Sequence, residues 1–558
     1  MKMIRACLPF ILAASAVAQL TEDQRVSDFL HLAGLYAKQY APYEWKRETQ
    51  GFDLLNVGPW VDRAKKAKTD LDFYEVMVEY VASLNDAHDG YQLPSNFVAR
   101  LNFVVDLYDG KALVDFINRT RLPATEFPFR IGYELVSIDG VPVEDLLKQL
   151  NKYSIAANPR STRRFAANYL TVRPQALMPH ATDVGDIARV VMRRLDGVSE
   201  TYTIPWTKTG LPLVNIDRVP TPSGFKARRA AADAGDWRSL LRDLQHCEVD
   251  RRAINGFGAR APIFDMPAGF EQRLGRAGTD FFFSGTFRAG GLRIGFLRIP
   301  SYAPPSANAA FNQLAGEVAF FQANTDGLII DDMRNPGGSV GVVNVFLQLL
   351  MPTKFRTVGF EIRATSDWVV EISSAVESAR AQGAEQWEIA LLEQIKTQLV
   401  EANASNRGRT GPIPLDDLSL DRDPVRDPQG RLFSYSKPLM VLIDELSASG
   451  GDLFPATIQD AKRGILFGYR TMGAGGNVVG ALAGPYSEGF TTITQSLMSR
   501  QDNVVTSDFP AAPYVENIGV RPDIEADYMT RDNLLQNGRP FVDSFVAAMI
   551  DHIRRSQQ

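Results

Sequence analysis

Apolar residues near the beginning of the chain recur at helical spacing. Val26, Phe29 and Ala33 follow this period, and Phe73 and Met77 repeat it further on. Side chains three or four residues apart share one face of a helix, so residues 21–83 are predicted to form a small helical domain. The last helix should end at Leu84-Asn-Asp-Ala-His-Asp-Gly, because Asn, Asp and Gly are turn formers.

The pattern changes to alternation after residue 103, and residues 103–205 are predicted to consist mostly of strands. The clearest phrase is Gly132-Tyr-Glu-Leu-Val-Ser-Ile-Asp-Gly-Val-Pro-Val, which predicts two short strands around an Asp-Gly turn. A helix should follow over 143–153. Residues 211–278 have weak periodicity, and we interpret them as a long connection or a surface excursion.

Short apolar runs alternate with helical patterns in the last part of the chain. This alternation predicts a mostly parallel sheet flanked by helices. Strands are expected at 291–299, 327–331, 437–443 and 465–468, and helices at 307–322, 340–350, 451–461 and 541–555. An insert over about 365–427 should contain a helix near 385–402. The predicted fold class is α/β in a multi-domain α+β chain, with regions at 19–95, 96–210, 211–278 and 279–558.

The first 18 residues have the features of a secretory signal peptide. Lys2 and Arg5 precede an apolar run from Cys7 to Val17, and Ala16-Val17-Ala18 offers small residues for cleavage. The mature chain should begin near Gln19. Export is therefore expected, to a periplasm or outside the cell, and no later stretch is apolar enough for an integral membrane segment.

Charge and cysteine content exclude several classes of function. The 558 residues carry a formal net charge of −5, which becomes about −7 when two basic residues leave with the signal, and no basic stripe indicates nucleic acid. Cys247 would then be the only cysteine, so no intrachain disulfide is expected, and we interpret it as the end of an amphipathic helix. The chain has no His-Glu-X-X-His phrase, so neither a metal nor a cofactor is predicted.

One serine lies where a buried strand turns into a helix, in Pro438-Leu-Met-Val-Leu-Ile-Asp-Glu-Leu-Ser-Ala-Ser-Gly-Gly-Asp-Leu-Phe. The free amides at the start of such a helix suit a developing oxyanion, and the amide of Gly450 is the candidate. Serine also caps helices often. The local pattern therefore leaves open whether Ser449 is a nucleophile or only a cap.

A second glycine turn follows another buried strand, in Ile329-Ile-Asp-Asp-Met-Arg-Asn-Pro-Gly-Gly-Ser. Loops at the carboxyl ends of parallel strands gather around one crevice. Gly337 or Gly338 could offer a second oxyanion amide there, or the phrase could be a plain turn before a helix.

Together these phrases resemble the C-terminal-processing, or tail-specific, serine proteases. Leu328-Ile-Ile-Asp-Asp-Met-Arg-Asn-Pro-Gly-Gly and Ser447-Ala-Ser-Gly-Gly-Asp are similar to two of their motifs, and the Ile138-Asp-Gly-Val-Pro-Val phrase is similar to the end of their PDZ-like domain. The resemblance implies that Ser449 is the nucleophile. It also implies a PDZ-like β-rich domain at 96–210 and a ClpP/crotonase-like mixed sheet core at 279–558.

The chain departs from the usual pattern at the general base. Most members carry a lysine where this chain has Ala474, and a methyl group cannot accept a proton. Two other phrases resemble the branch that contains the chlamydial protease-like activity factor and the tricorn protease core. Ser83-Leu-Asn-Asp-Ala-His-Asp-Gly resembles its histidine loop, and Val515-Glu-Asn-Ile-Gly-Val-Arg-Pro-Asp-Ile resembles its glutamate loop. The resemblance thus implies a triad of Ser449, His88 and Glu516.

The function expected from the sequence is an exported serine endopeptidase that acts on protein or peptide substrates through an acyl-enzyme. The alternative is a catalytically inactive member that binds a peptide or ligand as a scaffold, which Ala474 favours. The resemblance further implies that residues 211–278 cover the cleft and are later cut. It remains open whether the PDZ-like region binds peptide or only regulates, and whether the chain forms a homodimer.

Overall fold

A computed structural model describes residues 19–213, 236–249, 256–487 and 489–558. The expected signal peptide lies outside the described residues, as do residues 214–235 and 250–255 of the expected connection. Among the described residues, no helix is both long and apolar enough to cross a membrane.

Four helices and a short strand form the first region, as the apolar spacing predicts. Thr21 and Thr69 each begin a helix with a capping box, in which the threonine side chain and the third helical residue satisfy each other's backbone amides. Phe29, Tyr36 and Tyr80 pack edge-to-face in the core. The elements are α1 (Glu22–Gln39), α2 (Tyr43–Gln50), α3 (Gly58–Lys66), α4 (Asp70–Ala82) and β1 (Tyr91–Gln92).

The second region is built around an antiparallel sheet in the order β3-β4-β5-β8-β9. Its elements are β2 (Val98–Arg100), β3 (Phe103–Tyr108), β4 (Lys111–Ile117), β5 (Glu134–Ile138), β6 (Val141–Pro142), α5 (Val143–Leu150), α6 (Pro159–Tyr169), β7 (Val172–Pro174), β8 (Ile187–Arg193), β9 (Ser199–Pro205) and β10 (Thr207–Thr209). The sequence pattern did not predict α6. This helix begins after Asn158, whose side chain accepts a hydrogen bond from the Ser161 amide.

A helix and a strand, each with one buried face, follow where a long connection or a surface excursion was expected. They are α7 (Trp237–Leu244) and β11 (His246–Glu248). Trp237, Cys247 and Val249 are all buried. The expectation was therefore wrong for residues 236–249, and Cys247 lies in a strand instead of a helix end.

The remaining residues form the largest region. Its elements are β12 (Glu271–Leu274), β13 (Phe283–Ala289), β14 (Leu292–Arg298), α8 (Ala307–Asn324), β15 (Gly327–Asp331), β16 (Gly337–Ser339), α9 (Val340–Leu350), β17 (Phe355–Arg356), β18 (Gly359–Ile362), α10 (Ser366–Ala381), α11 (Gln386–Ala404), β19 (Asp421–Arg422), β20 (Leu439–Ile443), α12 (Gly450–Asp460), β21 (Ile465–Gly468), β22 (Val478–Leu482), β23 (Phe490–Thr494), β24 (Ser496–Val504), β25 (Ala512–Tyr514), β26 (Ile524–Glu525), α13 (Arg531–Leu535) and α14 (Arg539–Ser556).

The central sheet of this region has seven strands in the order β12-β13-β14-β15-β20-β21-β26. Pairing is parallel from β14 to β26 and antiparallel at the β12 edge. All residues of β15 and β20 are buried, which explains their unbroken apolar runs. Because β15 and β20 are parallel neighbours, the loops after them emerge side by side. The mixed multi-domain fold expected from the sequence is confirmed.

The three regions share interfaces. The hairpin of β22 and β23 pairs with β1, and Ala481 and Ile493 of that hairpin lie in the same apolar cluster as the first helices. The loop that joins α4 to β1 is thereby held against the largest region.

Candidate active site

Ser449 lies at the turn between β20 and α12, as the residue before the first helical position. Its backbone has φ 59° and ψ −109°, and its side chain is buried. A non-glycine residue in such a conformation costs on the order of 1–3 kcal/mol and persists only where its surroundings enforce it. Here the Ser449 N–H donates to Asp452 Oδ2 at 2.7 Å, which holds the turn.

Asp452 joins this turn to the glycine-rich loop at 471–476. Its Oδ1 accepts hydrogen bonds from the hydroxyl of Thr471 and from the amide of Gly473, and its Oδ2 accepts from the amide of Ala474 at 2.9 Å. Burial raises the pKa of Asp452 to about 6, although these donors favour the ionised form. The buried carboxyl group thus fixes two loops relative to each other.

His88 meets Ser449 from the opposite side of the cleft. Its Nε2 lies 2.7 Å from Ser449 Oγ, although 361 residues separate them in the chain. The His88 amide donates to Asp86 Oδ1 at 2.9 Å, and the hydroxyl of Thr492 in β23 donates to the His88 carbonyl at 2.6 Å. The histidine loop is therefore held from both ends.

Glu516 is fully buried in the same cluster. One carboxylate oxygen accepts from Lys46 Nζ, and the other accepts from the Gly475 amide at 2.8 Å. The indole N–H of Trp45 donates to the Glu516 carbonyl at 3.0 Å. Burial, together with the charge of Asp86, raises the pKa of Glu516 to about 8 despite the opposing effect of Lys46.

The position that departs from the usual pattern offers only a methyl group. Ala474 is buried in an apolar cluster with Val249 and Met472. Ala474 offers no proton acceptor, whereas His88 Nε2 is within hydrogen-bonding distance of Ser449 Oγ.

The candidate oxyanion amides lie close together. A methyl group on Gly337 would lie 2.7 Å from the Gly450 nitrogen, and one on Gly450 would lie 3.2 Å from the Gly338 nitrogen. The Gly337 amide itself already donates to Asn335 Oδ1 at 2.9 Å. Of the two glycines, Gly338 is thus the better partner for Gly450.

Strand β11 lies on this site as an added antiparallel strand. Cys247 pairs with Gly338. The Val249 amide donates to the Pro336 carbonyl at 2.8 Å, and the Val340 amide donates to the Gln245 carbonyl at 3.0 Å. Because antiparallel ladders alternate, the Cys247–Gly338 pair between them is of the hydrogen-bonded type.

A cavity of about 560 Å³ continues the cleft beside β11. It is bounded by the histidine loop, the second region and the β22–β23 hairpin; His88, Tyr169, Glu248 and Phe490 line it. In the part of the chain that the structure describes, no group of three His, Cys, Asp or Glu side chains could hold a metal ion.

Two family models match the chain. One describes a PDZ domain and matches residues 98–212, and the other describes peptidase family S41 and matches residues 293–526. Residues 293–526 belong to peptidase family S41. The chain is a serine-type peptidase, and the resemblance to tail-specific proteases is confirmed.

Relatives of similar length occur in Chlamydia. A protein of Chlamydia trachomatis serovar D is 25% identical, with 95% of this chain and 94% of the relative covered. A protein of Chlamydia pneumoniae is 27% identical, with 95% of this chain and 90% of the relative covered. The similarity therefore extends over nearly the whole length of this chain and of both relatives.

Solved structures show the same fold. The structure of mature CPAF complexed with lactacystin superposes with a TM-score of 0.74 at 22% identity and covers 96% of this chain and 99% of its own. A CPAF mutant structure gives a TM-score of 0.71 at 23% identity, with 96% and 98% covered. The fold thus extends over all three regions.

Sequence reasoning missed several residues of the site. Asp86 and Asp452 lie inside the phrases that were selected for His88 and Ser449, so the sequence already marked the segments that contain them. Lys46 lies in the helical phrase Tyr43-Glu-Trp-Lys-Arg, where a lysine usually faces solvent. Nothing in that phrase indicates a buried cation.

Proposed function

We propose that this peptidase is an exported endopeptidase that cleaves protein substrates through an acyl-enzyme. Ser449 is the nucleophile, His88 the general base and Glu516 the group that supports the charged histidine. The observation that carries the proposal is the 2.7 Å approach of His88 Nε2 to Ser449 Oγ, between side chains from different regions of the chain. A serine hydroxyl becomes an effective nucleophile when a neighbouring base takes its proton.

The proposed reaction follows from these positions. His88 takes the proton of Ser449 Oγ as the oxygen attacks the substrate carbonyl carbon, and the amides of Gly450 and Gly338 stabilise the developing negative oxygen. His88 then gives its proton to the leaving amine as the peptide bond breaks. Water, activated by the same imidazole, hydrolyses the acyl-enzyme and restores the hydroxyl.

The substrate is proposed to bind as a strand added to β16. The antiparallel pairing of β11 with β16 supports this mode, because β11 presents backbone to the same glycines. Cys247 and Val249 are buried on one side of that strand, whereas His246 is exposed on the other. The cleft would thus contact every second side chain of a bound substrate strand.

The same pairing implies that the intact chain is self-inhibited. A peptide cannot pair with β16 while β11 occupies it, so proposed activity requires displacement of residues 246–249. The flanking residues 214–235 and 250–255, where cutting would release the strand, lie outside the described residues.

The triad is tested by peptide cleavage with Ser449→Ala, His88→Ala and Glu516→Gln, each first cut within residues 214–255 by a trace of tagged wild-type protein that is then removed. We expect kcat/KM to fall by at least about 10³-fold in the first two variants, as triad members act as a unit. His31→Ala is the matched control, because His31 is an exposed histidine that hydrogen-bonds the Leu482 carbonyl. Full activity in His88→Ala with the fold intact would exclude His88 as the base.

The alternative is an inactive member that binds peptide as a scaffold. Ala474 favours it, since the usual base is missing there. Labelling with a fluorophosphonate discriminates the two: a nucleophilic Ser449 becomes covalently modified, whereas an inert serine does not. Wild-type chain that stays unlabelled after cleavage of the 214–255 segment would support the scaffold.

Export and self-association are separate parts of the proposal. The N-terminal phrase predicts that the exported chain begins at Gln19, which N-terminal sequencing of secreted material checks. A homodimer would appear as a doubled mass in light scattering of the purified chain.

A further inference from the structure

A fully buried lysine lies behind the proposed triad. Lys46 comes from α2 of the first region, and its side chain has 0% exposure. Its ammonium group donates to the carboxylate of Glu516, to Asn517 Oδ1 at 2.8 Å and to the Asn85 carbonyl at 2.8 Å. Lysine is almost never fully buried unless it is paired, so this placement calls for an explanation.

The hydrogen-bond partners of Lys46 show that it is not the general base. An ammonium group has three N–H donors and no acceptor, and three acceptors surround this one. A lysine that served as general base would need a free pair of electrons directed at Ser449. Lys46 therefore does not take the place of the lysine that Ala474 lacks.

The surroundings of Lys46 are strongly acidic. Asp86 and Asp89 belong to the histidine loop, and Glu516 faces them from the largest region. Asp86 accepts from the Tyr40 hydroxyl at 3.0 Å as well as from the His88 amide. Burial and the neighbouring Asp86 raise the pKa of Asp89 well above its usual range. The charge of Lys46 acts on both Asp89 and Glu516, but only Glu516 is in contact with the ammonium group.

Glu516 depends on that ammonium more than the other two carboxyl groups do. It is the carboxylate in direct contact with Lys46, and the pair is fully buried on both sides. Removing one partner of a buried ion pair leaves an uncompensated charge, which in practice becomes neutral by changing its protonation. A protonated Glu516 could not stabilise a positively charged His88.

We propose that Lys46 is a positioning residue of this peptidase, which favours the ionised form of Glu516 and fixes it beside the histidine loop. The inference rests on the proposed function, because Lys46 acts through Glu516 and His88. Helix α2 holds Glu516 twice, because Trp45 also binds its carbonyl. The first region thus supplies both the base and the cation that favours the charged form of the acid.

The experiment compares kcat/KM against pH, from about pH 6 to pH 10, for wild type, Lys46→Met and Trp45→Phe. Before the assay, each variant is cut within residues 214–255 by a trace of tagged wild-type protein, which is then removed. Lys46→Met should move the rising limb of the profile to higher pH by about one unit or more, because Glu516 without its cation loses its proton only at higher pH. Trp45→Phe removes a neutral hydrogen bond to the same residue and should leave the midpoint unchanged.

A double-mutant cycle covers the case in which Lys46→Met fails to fold. In Lys46→Met/Glu516→Gln both members of the buried ion pair are gone, so neither is left without its partner. We expect this variant to be folded and no less active than Glu516→Gln alone, since Lys46 acts only through Glu516. If the two substitutions lowered kcat/KM independently, so that their effects multiplied, the inference would be overturned. An unchanged midpoint of the pH profile in Lys46→Met would also overturn it.

The outcomes separate this inference from the function on which it rests. If wild type shows no hydrolysis that Ser449→Ala abolishes, the proposed function fails. If wild type is active and Lys46→Met merely lowers activity equally at every pH, only the role of Lys46 fails.

Discussion

Cys247 pairs with Gly338 at the amides that are proposed to form the oxyanion hole. The pair is of the hydrogen-bonded type, so the backbone of β11 occupies the place that a substrate strand would need. The contact is made by the chain itself, from residues between the second and largest regions.

Disturbing this strand should therefore expose Ser449. Cys247→Arg places a charged side chain where the wild-type side chain is fully buried, which should displace β11 and raise the rate of fluorophosphonate labelling of the intact chain several-fold. His246→Arg, on the exposed side of the same strand, should label like wild type. Equal labelling rates in the two variants would contradict self-inhibition by β11.

The pH dependence of the processed wild type should follow Glu516. Burial and Asp86 raise the pKa of this carboxyl to about 8, and the ionised form is the one proposed to support His88. Activity should thus be low where Glu516 is protonated and rise as the pH passes through about 8. A profile already level above pH 7 would show that Glu516 does not limit the reaction.

Asp452→Asn should loosen the nucleophile turn. Four donors point at this carboxyl group, and an amide nitrogen placed among them would face other donors. We expect a loss of roughly 2–3 kcal/mol in the free energy of unfolding, measured in urea. Asp502→Asn changes an exposed aspartate and should stay within about 0.5 kcal/mol of wild type. Similar free energies of unfolding in the two variants would show that Asp452 does not stabilise the turn.

Arg164 should be essential for joining the second region to the nucleophile strand. It is buried in α6, donates to both oxygens of Asp106 in β3, and lies 3.2 Å from Glu445 after β20. Arg164→Leu should cost about 3–5 kcal/mol, because it leaves the buried carboxylate of Asp106 without its cation.

The neighbouring arginine provides a matched control. Arg163 pairs with Glu144 at the surface, and Arg163→Leu should cost at most about 1 kcal/mol. Chemical denaturation of both variants checks the difference. Equal losses would mean that the buried Arg164 network adds no stability.

Four parallel strands of the central sheet and most helices of the largest region could be predicted from the sequence. The runs at 327–331 and 465–468 coincide with strands, because a strand buried on both faces is apolar along nearly its whole length. The phrases around His88, Ser449 and Glu516 could likewise be found, since turns and glycines mark them. Helix α6 was missed because polar side chains such as Arg164 are buried alongside its apolar ones, so apolar spacing does not mark the buried face.

The sequence by itself determined much of the element order, the resemblance to the family and the residues that are proposed to carry the chemistry. Only the tertiary structure decided that His88 reaches Ser449, that Lys46 lies against Glu516, and that Cys247 lies on the oxyanion glycines. Periodicity reports which face of an element is buried, but it carries no information on which distant side chains meet there. A lysine and a cysteine whose neighbours follow ordinary helical spacing therefore became visible as parts of the site only once the three regions were packed together.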